Sequence, residues 1–461
     1  MEKDTICAPA SATGGALSII RVAGNRAIQI TGKIFDKPLE NAQAQSLHYG
    51  NITEENGETI DEVVVGIFRS PHSYTGEDIA EISCHGSTYI TRKILQRLID
   101  NGCRQALPGE FTQRAFENGK LDLAQAEAVA DVIASTNRAT HQMAMGQLKG
   151  HFSHELETLR NRLLHLTSLL ELELDFSDHE ELEFADRTEL LLLAEETDRH
   201  ILSLSRSFET GKALKEGIPV AIIGKTNVGK STLLNRLIHE DKAIVSDIHG
   251  TTRDAIEDTT QIKGVTFRFI DTAGIRETAD KVEQIGIELT YRKTEQARII
   301  LWLIDEMPAH EELSEIIRLT NHKRLIAVCN KVDLNNGKSS NPFENLQELF
   351  TQNGLSAPIL HISAKLGTNT EELEQTIYDV ADIPEYKQNC TIITSARHYE
   401  ALTRAHESIG RVIDGLKNQL TAELIAEDLR LTLSQLGEIT GGQITPPEVL
   451  ETIFKHFCIG K

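Results

Sequence analysis

The stretch Gly224-Lys225-Thr226-Asn227-Val228-Gly229-Lys230-Ser231 decides the fold of the chain around it. It has the pattern Gly-x-x-x-x-Gly-Lys-Ser, follows the apolar run Val220–Ile223 and precedes a helix-like segment over 232–238. In that context of strand, glycine-rich loop and helix, consecutive backbone N–H groups bind phosphate. We therefore predict a phosphate-binding loop, with Lys230 against the β- and γ-phosphates and Ser231 on Mg²⁺.

Outward from this loop, short apolar runs alternate with helix-like segments over residues 217–383. This alternation is typical of a doubly wound, mainly parallel sheet between helices, an α/β fold. Such a sheet binds ligands at the carboxyl ends of its strands. The runs are Val220–Ile223, Val265–Ile270, Ile299–Ile304, Leu325–Cys329 and Ile359–Ile362.

The segments on either side of this central part have different patterns of apolar residues. Residues 1–118 mix β-like runs with glycine and proline turns and one helical stretch near 89–98, which predicts an α+β domain. Residues 119–210 and 385–461 have helical patterns, and in the first of these leucines recur at three- and four-residue steps. We predict one all-α domain built from both segments, with the α/β domain inserted between its halves; two separate helical domains are the alternative. The leucines are Leu156, Leu159, Leu163, Leu166 and Leu170.

Three further motifs follow predicted strands and would lie at the same sheet edge as the phosphate loop. The carboxylate of Asp333 can accept hydrogen bonds from N1–H and the exocyclic amine of guanine, whereas adenine would leave it buried and unpaired. The Asp271 motif places a carboxylate near the metal, and the Ser363 motif supplies a backbone amide to the guanine oxygen. The sequence therefore predicts a guanine-nucleotide-binding domain. The motifs are Asp271-Thr272-Ala273-Gly274, Asn330-Lys331-Val332-Asp333 and Ser363-Ala364-Lys365.

The segment Gly250-Thr251-Thr252-Arg253-Asp254 is the predicted first switch, with Thr252 as the second Mg²⁺ hydroxyl; an ordinary polar turn is the alternative. Ras-type GTPases orient the attacking water with a Gln directly after the Asp271-type motif. Ile275 occupies that position here and cannot orient water. An arginine finger is not obvious in the sequence either. The candidates for its role are Arg253 and Arg276.

Composition excludes several classes of protein. The 461 residues include 47 Lys and Arg against 69 Asp and Glu, a net charge of −22, which excludes a generally basic nucleic-acid coat. With 40% hydrophobic residues the chain is not disordered as a whole. Six scattered cysteines without a Cys-x-x-Cys pair disfavour a disulfide framework and a zinc site. Lacking an apolar run of about 20 residues and a basic-then-apolar start, the sequence predicts a cytoplasmic protein with no membrane partner.

Several segments together resemble one family, the bacterial tRNA-modification GTPases called MnmE or TrmE, and the resemblance extends over the whole chain. The resemblance implies a K⁺-stimulated GTPase whose G domains dimerise across the nucleotide, with K⁺ in the place of an arginine finger. It also implies that the α+β domain binds 5-formyl-tetrahydrofolate, or a related tetrahydrofolate, and forms a homodimer. The segments are Gly250–Asp254, Asp271–Glu277, Val282–Glu288, Pro108–Thr112, Lys120–Ala128 and Phe457–Lys461.

The resemblance also implies roles for individual residues. Glu283 would orient the attacking water through a bridging water; a solvated carboxylate at a helix start is the alternative. Cys458 is a candidate functional thiol, and a small buried hydrophobe is the alternative. The K⁺ ligands would be Asn227, Ser246, Ile248 and Thr251, and the folate contacts Arg21, Glu81, Lys120 and Lys461. With the motifs above, the expected GTP contacts are Asn227, Val228, Gly229, Lys230, Ser231, Thr232, Ser246, Thr251, Thr252, Asp271, Thr272, Ala273, Gly274, Asn330, Lys331, Asp333, Ser363, Ala364 and Lys365.

At the level of function, the resemblance implies action on tRNA. The chain would form a heterotetramer with the FAD-dependent subunit MnmG and add a carboxymethylaminomethyl or aminomethyl group to C5 of the wobble uridine. A ribosome-assembly GTPase switch and an idle GTP-binding scaffold are the alternatives. Relatives of the switch class usually carry a second G domain or an RNA-binding Gly-x-x-Gly loop, and the sequence has neither.

Overall fold

The structure is a computed structural model, and it describes most of the chain. The described residues are 4–12, 14–175, 187–239, 258–270, 295–320, 323–335, 343–383, 391–442, 450, 453–455, 457 and 460.

The N-terminal part forms a six-stranded sheet in the order β3-β4-β5-β2-β1-β6. Neighbouring strands are antiparallel except for β1 and β6, which are parallel. Alternate strand residues such as Ile20, Val65 and Ile82 are buried with Ile30 and Leu98 from the helices. The elements are β1 Ile6–Pro9, β2 Leu17–Ala23, α1 Ala27–Ile34, β3 Ser46–Thr53, β4 Thr59–Phe68, β5 Ile79–His85, α2 Thr88–Asp100, β6 Arg104–Gln105 and α3 Glu110–Glu117.

The prediction of α+β structure is confirmed, but the expectation of a single helical stretch in this part is wrong. The stretch near 89–98 is α2, and α1 and α3 are two additional helices of eight residues each. Eight residues make little more than two helical turns, so the apolar periodicity is too short to stand out in the sequence.

Long helices form the second part of the fold. The predicted leucine stripe lies on α6, and all five of its leucines are buried at 2% exposure or less. The last part of the predicted helical segment 119–210 forms α7, which continues to residue 216. The helices are α4 Leu123–Ala134, α5 Arg138–Leu148, α6 His151–Asp175, α7 Arg187–Glu216, α12 Ala396–Lys417 and α13 Ala422–Thr440.

The third part is a second six-stranded sheet, in the order β12-β11-β10-β7-β9-β8. Its strands are parallel except for β8, which pairs with β9 in an antiparallel hairpin. All five predicted strands are present, and the six residues of β10 are buried. The elements are β7 Ile218–Ile223, α8 Lys230–His239, β8 Asp258–Ile262, β9 Val265–Phe269, β10 Ile299–Ile304, α9 His310–Leu319, β11 Arg324–Cys329, a 3₁₀ helix Val332–Asn335, α10 Leu346–Gln352, β12 Ile359–His361 and α11 Thr370–Val380.

Contacts divide the chain into two compact units, one made of Met1–Ala134, Met143–Ser205 and Ala396–Lys461, the other of Ser135–Gln142 and Arg206–Ser395. The short segment Ser135–Gln142 belongs with the parallel sheet because it bonds to the β8–β9 hairpin. Asn137 Nδ2 donates to Thr266 Oγ1 over 2.8 Å, and Ala139 N donates to Gly264 O over 3.2 Å. A helical segment is therefore incorporated into the unit that carries the phosphate loop.

Among the described helices, none combines the length and the apolar character that crossing a membrane requires.

Candidate nucleotide-binding site

The loop between β7 and α8 depends on two glycines. Gly224 and Gly229 have φ angles of 147° and 105°, which residues with side chains rarely adopt. A Cβ on Gly224 would lie 2.3 Å from Leu303 O, and one on Gly229 would lie 2.3 Å from Asn330 Nδ2. The glycines therefore allow the loop to lie against the ends of β10 and β11. Asn227, with φ of 62°, is exposed at the tip of the loop.

Lys230 and Ser231 begin α8, where backbone N–H groups at a helix start favour an anion. Lys230 Nζ donates to Gly224 O over 2.7 Å and to Lys225 O over 2.6 Å. The ammonium group is thus held across the loop, on the side where phosphate charge would be neutralised. Ser231 is half-buried and Thr232 is exposed in the same first turn.

Asn330 joins the phosphate loop to the other two motifs. Its Nδ2 donates to Val228 O over 2.8 Å, and its Oδ1 accepts from Ala364 N over 3.0 Å. Asn330, Val228 and Ala364 are all buried, at 3% exposure or less. Because unmade hydrogen bonds are expensive in a buried place, this carboxamide fixes the three loops relative to one another.

The remaining guanine motif residues lie at the same edge of the sheet. Asp333 Oδ1 accepts from Ser363 Oγ over 2.6 Å, and Ser363 is fully buried. Lys331 Nζ donates to Asp305 Oδ2 over 2.6 Å, and Lys365 is exposed. One Asp333 oxygen is therefore held by a hydroxyl, in a place where a carboxylate can discriminate guanine from adenine by hydrogen bonding.

In the N-terminal sheet, Arg21 is the centre of a second group, which we name the Arg21 cluster: Arg21, Tyr74, Glu81, Phe111 and Gly460. Arg21 Nε and Nη2 donate to Glu81 Oε1 over 2.9 and 2.8 Å, and Nη1 donates to Gly460 O over 3.3 Å. The guanidinium carbon lies 5.2 Å from the Tyr74 ring centre and 5.6 Å from that of Phe111.

A cavity of about 220 Å³ adjoins the Arg21 cluster. Arg21 and Tyr74 supply its polar groups, and Leu121, Val129 and Ile133 belong to its apolar wall. Lys120 Nζ donates to Pro71 O over 3.1 Å. The cavity can therefore hold a ligand with an apolar body and a group that bonds to arginine.

Comparison with known proteins relates both halves of the chain to one family. A family model described as the GTP-binding protein TrmE N-terminus matches residues 5–120, and one described as the MnmE helical domain matches residues 123–458. The tRNA modification GTPase MnmE of Phocaeicola vulgatus is 52% identical over 502 residues, covering 100% of this chain and 99% of that protein. The protein of the same name from Bacteroides fragilis is 53% identical over 472 residues, with 100% of each chain covered. The chain belongs to the MnmE (TrmE) family.

The MnmE helical model spans both helical segments and the parallel sheet between them. This supports one helical domain with the P-loop GTPase domain inserted into it, as the sequence predicted, and disfavours two separate helical domains. The fold class is confirmed: an α+β N-terminal part, an all-α part and an α/β part with a mainly parallel sheet.

Many of the residues for which the motifs or the MnmE resemblance implied a role lie outside the described residues, so their roles remain predictions. They are Ser246, Ile248, Thr251, Thr252, Arg253, Asp271, Thr272, Ala273, Gly274, Arg276, Glu283, Cys458 and Lys461.

The described donors fit the metal ions that MnmE proteins are expected to use. Ser231 offers a hydroxyl oxygen and Asn227 a carboxamide oxygen, and Mg²⁺ and K⁺ prefer hard oxygen ligands. Both residues lie on or beside the phosphate loop, Ser231 in the first turn of α8 and Asn227 at the loop tip. Of the predicted ligands, these are the two within the described residues.

Sequence reasoning missed Asp305, which pairs with Lys331, and the two rings of the Arg21 cluster. Asp305 directly follows the apolar run Ile299–Ile304, so a carboxylate at the end of a predicted strand was a usable signal. Tyr74 and Phe111 offered none, because their contact with Arg21 joins separate stretches of the chain.

Proposed function

We propose that the chain is a K⁺-stimulated GTPase that hydrolyses GTP to GDP and phosphate when its G domains dimerise. In this proposal it acts with the FAD-dependent subunit MnmG as a heterotetramer on tRNA. The product is a carboxymethylaminomethyl or aminomethyl group on C5 of the wobble uridine, at position 34. Membership of a family of tRNA modification GTPases supports GTP hydrolysis in tRNA modification. The geometry of the site supports guanine as the base of the bound nucleotide.

The observation that carries the proposal is the double hydrogen bond of Asn330. It joins Val228 of the phosphate loop to Ala364 of the guanine motif, over 2.8 and 3.0 Å. A loop for phosphates is thus coupled to a carboxylate suited to guanine, Asp333, which Ser363 holds at 2.6 Å. A protein that only bound phosphate would not need the second half of this arrangement.

For hydrolysis, we assign the charge opposite the phosphates to Lys230 and the Mg²⁺ ligands to Ser231 and Thr252. Bound K⁺ would supply positive charge near the transferring phosphate, where it stabilises the transition state. Asn227 is the described candidate for its side-chain ligand. Glu283 is assigned to the attacking water, and Arg253 and Arg276 remain candidates for charge stabilisation. The further proposed K⁺ ligands are Ser246, Ile248 and Thr251.

For the modification step, we propose that the α+β domain binds 5-formyl-tetrahydrofolate or a related tetrahydrofolate. Arg21 and Glu81, which already form an ion pair, would contact it with Lys120 and Lys461. A carboxylate can pair with the N–H groups of a pterin, and a cation with the glutamate tail. The Arg21 cluster and its cavity support this assignment, and Cys458 is proposed as a further functional residue of the same reaction.

The proposed domains are an N-terminal tetrahydrofolate-binding and dimerisation domain at 1–118, helical halves at 119–210 and 385–461, and a G domain at 217–383. We also propose a homodimer and a cytoplasmic location, where tRNA and GTP are available.

The experiment that tests the proposal is single-turnover GTP hydrolysis with Mg²⁺, in KCl and in NaCl at matched ionic strength. We expect a large advantage of KCl that disappears in Asn227→Ala. Asn345→Ala is the matched control, because Asn345 is exposed and its side chain makes no cap hydrogen bond. Equal and slow rates of the unmodified protein in both salts would refute the K⁺ mechanism.

The tRNA step is tested separately with MnmG, FAD, GTP and a tetrahydrofolate. Mass spectrometry of nucleosides from the treated tRNA should show the mass of the C5 substituent at position 34. Active GTPase without any modified uridine would favour a switch over a modification enzyme.

A further inference from the structure

Two adjacent carboxylates, Asp305 and Glu306, follow β10 and contact lysines from two different nucleotide loops. Asp305 Oδ2 lies 2.6 Å from Nζ of Lys331, in the guanine motif. Glu306 Oε1 lies 2.9 Å from Nζ of Lys225, in the phosphate loop. The end of one buried strand therefore carries acidic partners for both loops.

The two pairs are not equivalent. Lys225 has a second carboxylate, Glu312, whose Oε2 lies 3.1 Å from Nζ, and the Lys225 and Glu306 side chains are 48% and 70% exposed. The Lys331 and Asp305 side chains are 35% and 28% exposed. Ion pairs gain strength as they leave solvent, so the Asp305 pair is the stronger candidate for a positioning role.

Lys331 also has an uncommon backbone. Its φ of 65° lies in the left-handed region, which is unfavourable for a residue with a Cβ. At this residue the chain turns from β11 into the 3₁₀ helix Val332–Asn335, which carries Asp333 to the Ser363 hydroxyl. The direction of the Asp333 carboxylate therefore depends on a turn whose backbone conformation is unfavourable by itself.

The sheet register explains how Asp305 reaches this turn. In the parallel pair of β10 and β11, Ile304 is opposite Cys329, and Asn330 N donates to Ile304 O over 2.8 Å. Asp305 and Lys331 are the next residues beyond that bond on the two strands. The ion pair between Asp305 and Lys331 therefore lies directly beyond the last hydrogen bond between β10 and β11, where it holds the turn at Lys331.

We propose that Asp305 is a positioning residue for guanine recognition, which holds the Lys331 turn so that Asp333 faces the bound base. The proposal rests on the nucleotide assignment made above, and it adds a residue to it. Asp305 acts through Lys331 and not by contact with the nucleotide. Its loss should weaken the binding of GDP and GTP alike and leave the hydrolysis step unaffected.

The test measures the Kd of a fluorescent GDP analogue and the KM and kcat for GTP in KCl, using the full-length protein. In Asp305→Asn we expect Kd and KM to rise about tenfold, the usual order for a lost charged hydrogen bond, with kcat within about twofold. Asp305→Glu keeps the charge and should restore Kd to within about threefold. Glu306→Gln is the matched control and should stay within about twofold, since Glu312 still pairs with Lys225.

A double-variant comparison separates positioning from general damage. If Asp305 acts through Lys331, Asp305→Asn should add almost nothing to the effect of Lys331→Gln, because the two changes remove the same contact. Fully additive effects would overturn the proposal. So would an Asp305→Asn protein with unchanged Kd, or one with lowered kcat at unchanged KM.

Failure of this inference can be distinguished from failure of the proposed function. If the unmodified protein binds no guanine nucleotide, the proposed function itself is refuted. If it binds GDP and Asp305→Asn binds equally well, only the role of Asp305 is refuted. If Asp305→Glu also fails and both variants melt at a lower temperature, the residue supports the fold and does not position the turn.

Discussion

The nucleotide loops and the Arg21 cluster each hold a polar side chain through several hydrogen bonds, but the partners come together in different ways. Asn330 bonds to loops that each follow a strand of one parallel sheet, so fold topology alone brings them together. Arg21 bonds to Glu81, 60 positions away, and to Gly460, 439 positions away. The first site is a consequence of the sheet, whereas the second depends on how distant segments pack.

The largest effect should come from Asn330→Ala, which tests whether the sheet-edge site depends on one carboxamide. Two nearly buried backbone groups, Val228 O and Ala364 N, would lose their partner, and each such loss is expensive. We expect guanine-nucleotide affinity to fall about a hundredfold or more. Fluorescence titration with a GDP analogue measures it, with Asn345→Ala as the control. A loss below about threefold would show that the loops hold their positions without Asn330.

A second long-range contact, between Glu127 and the start of α12, gives a pH-dependent test. Glu127 Oε1 accepts from Arg397 Nε, 270 positions away, and Oε2 lies 2.8 Å from His398 Nε2. Burial by itself would raise the pKa of Glu127, but the charges and hydrogen bonds of His398 and Arg397 outweigh it and lower the pKa from 4.5 to about 2. The stability gained from this carboxylate is therefore full above pH 4.5 and is lost as the pH falls toward 2.

We expect Glu127→Gln to lower the free energy of unfolding at pH 7 by about 2 kcal/mol. The difference from the unmodified protein should narrow as the pH falls below 4.5, where protonation removes the same charge. Urea unfolding followed by circular dichroism at several pH values measures both. Glu400→Gln, at an exposed position on α12, the helix that carries Arg397 and His398, serves as the control. A difference that stays constant with pH would contradict the ion-pair explanation.

Arg21→Ala tests the other side of the comparison directly. It removes the pair with Glu81 and the bond to Gly460 O, and tetrahydrofolate affinity should fall about tenfold. GTP hydrolysis in KCl should not change. Isothermal titration with 5-formyl-tetrahydrofolate measures the first effect, and exposed Arg92→Ala is the control. If folate binding survived intact, the cavity beside Arg21 would have to serve another ligand.

The smallest effect concerns neither site and calibrates the stability measurements. Gly410 lies within α12, and a Cβ there would meet nothing within 4 Å. Gly410→Ala should therefore raise the free energy of unfolding by about 0.5–1 kcal/mol, because alanine favours the helix more than glycine does. Urea unfolding at pH 7 measures it, and a destabilised variant would mean that the position is more crowded than the backbone indicates.

Sequence patterns predicted most of the strands of the parallel sheet and the long helices, because each of these elements is long enough to show its apolar pattern. The buried leucine stripe of α6 and the apolar strand β10 are examples. The helices α1 and α3, with eight residues each, were missed because so few turns give little periodic signal. The strand β8 was missed because four of the five residues of Asp258–Ile262 are polar, which fits its place at the edge of the sheet.

Among the candidate site residues, the sequence by itself determined those that depend on local chain geometry. A glycine-rich loop before a helix, and short motifs after buried strands, carry their chemistry wherever a parallel sheet forms, so Lys230, Asn330 and Asp333 needed no contact map. Tertiary structure decided the rest. The Asp305–Lys331 pair and the rings around Arg21 exist only because separate segments meet, and the free energy of such a contact depends on burial and distance, which a linear sequence does not contain.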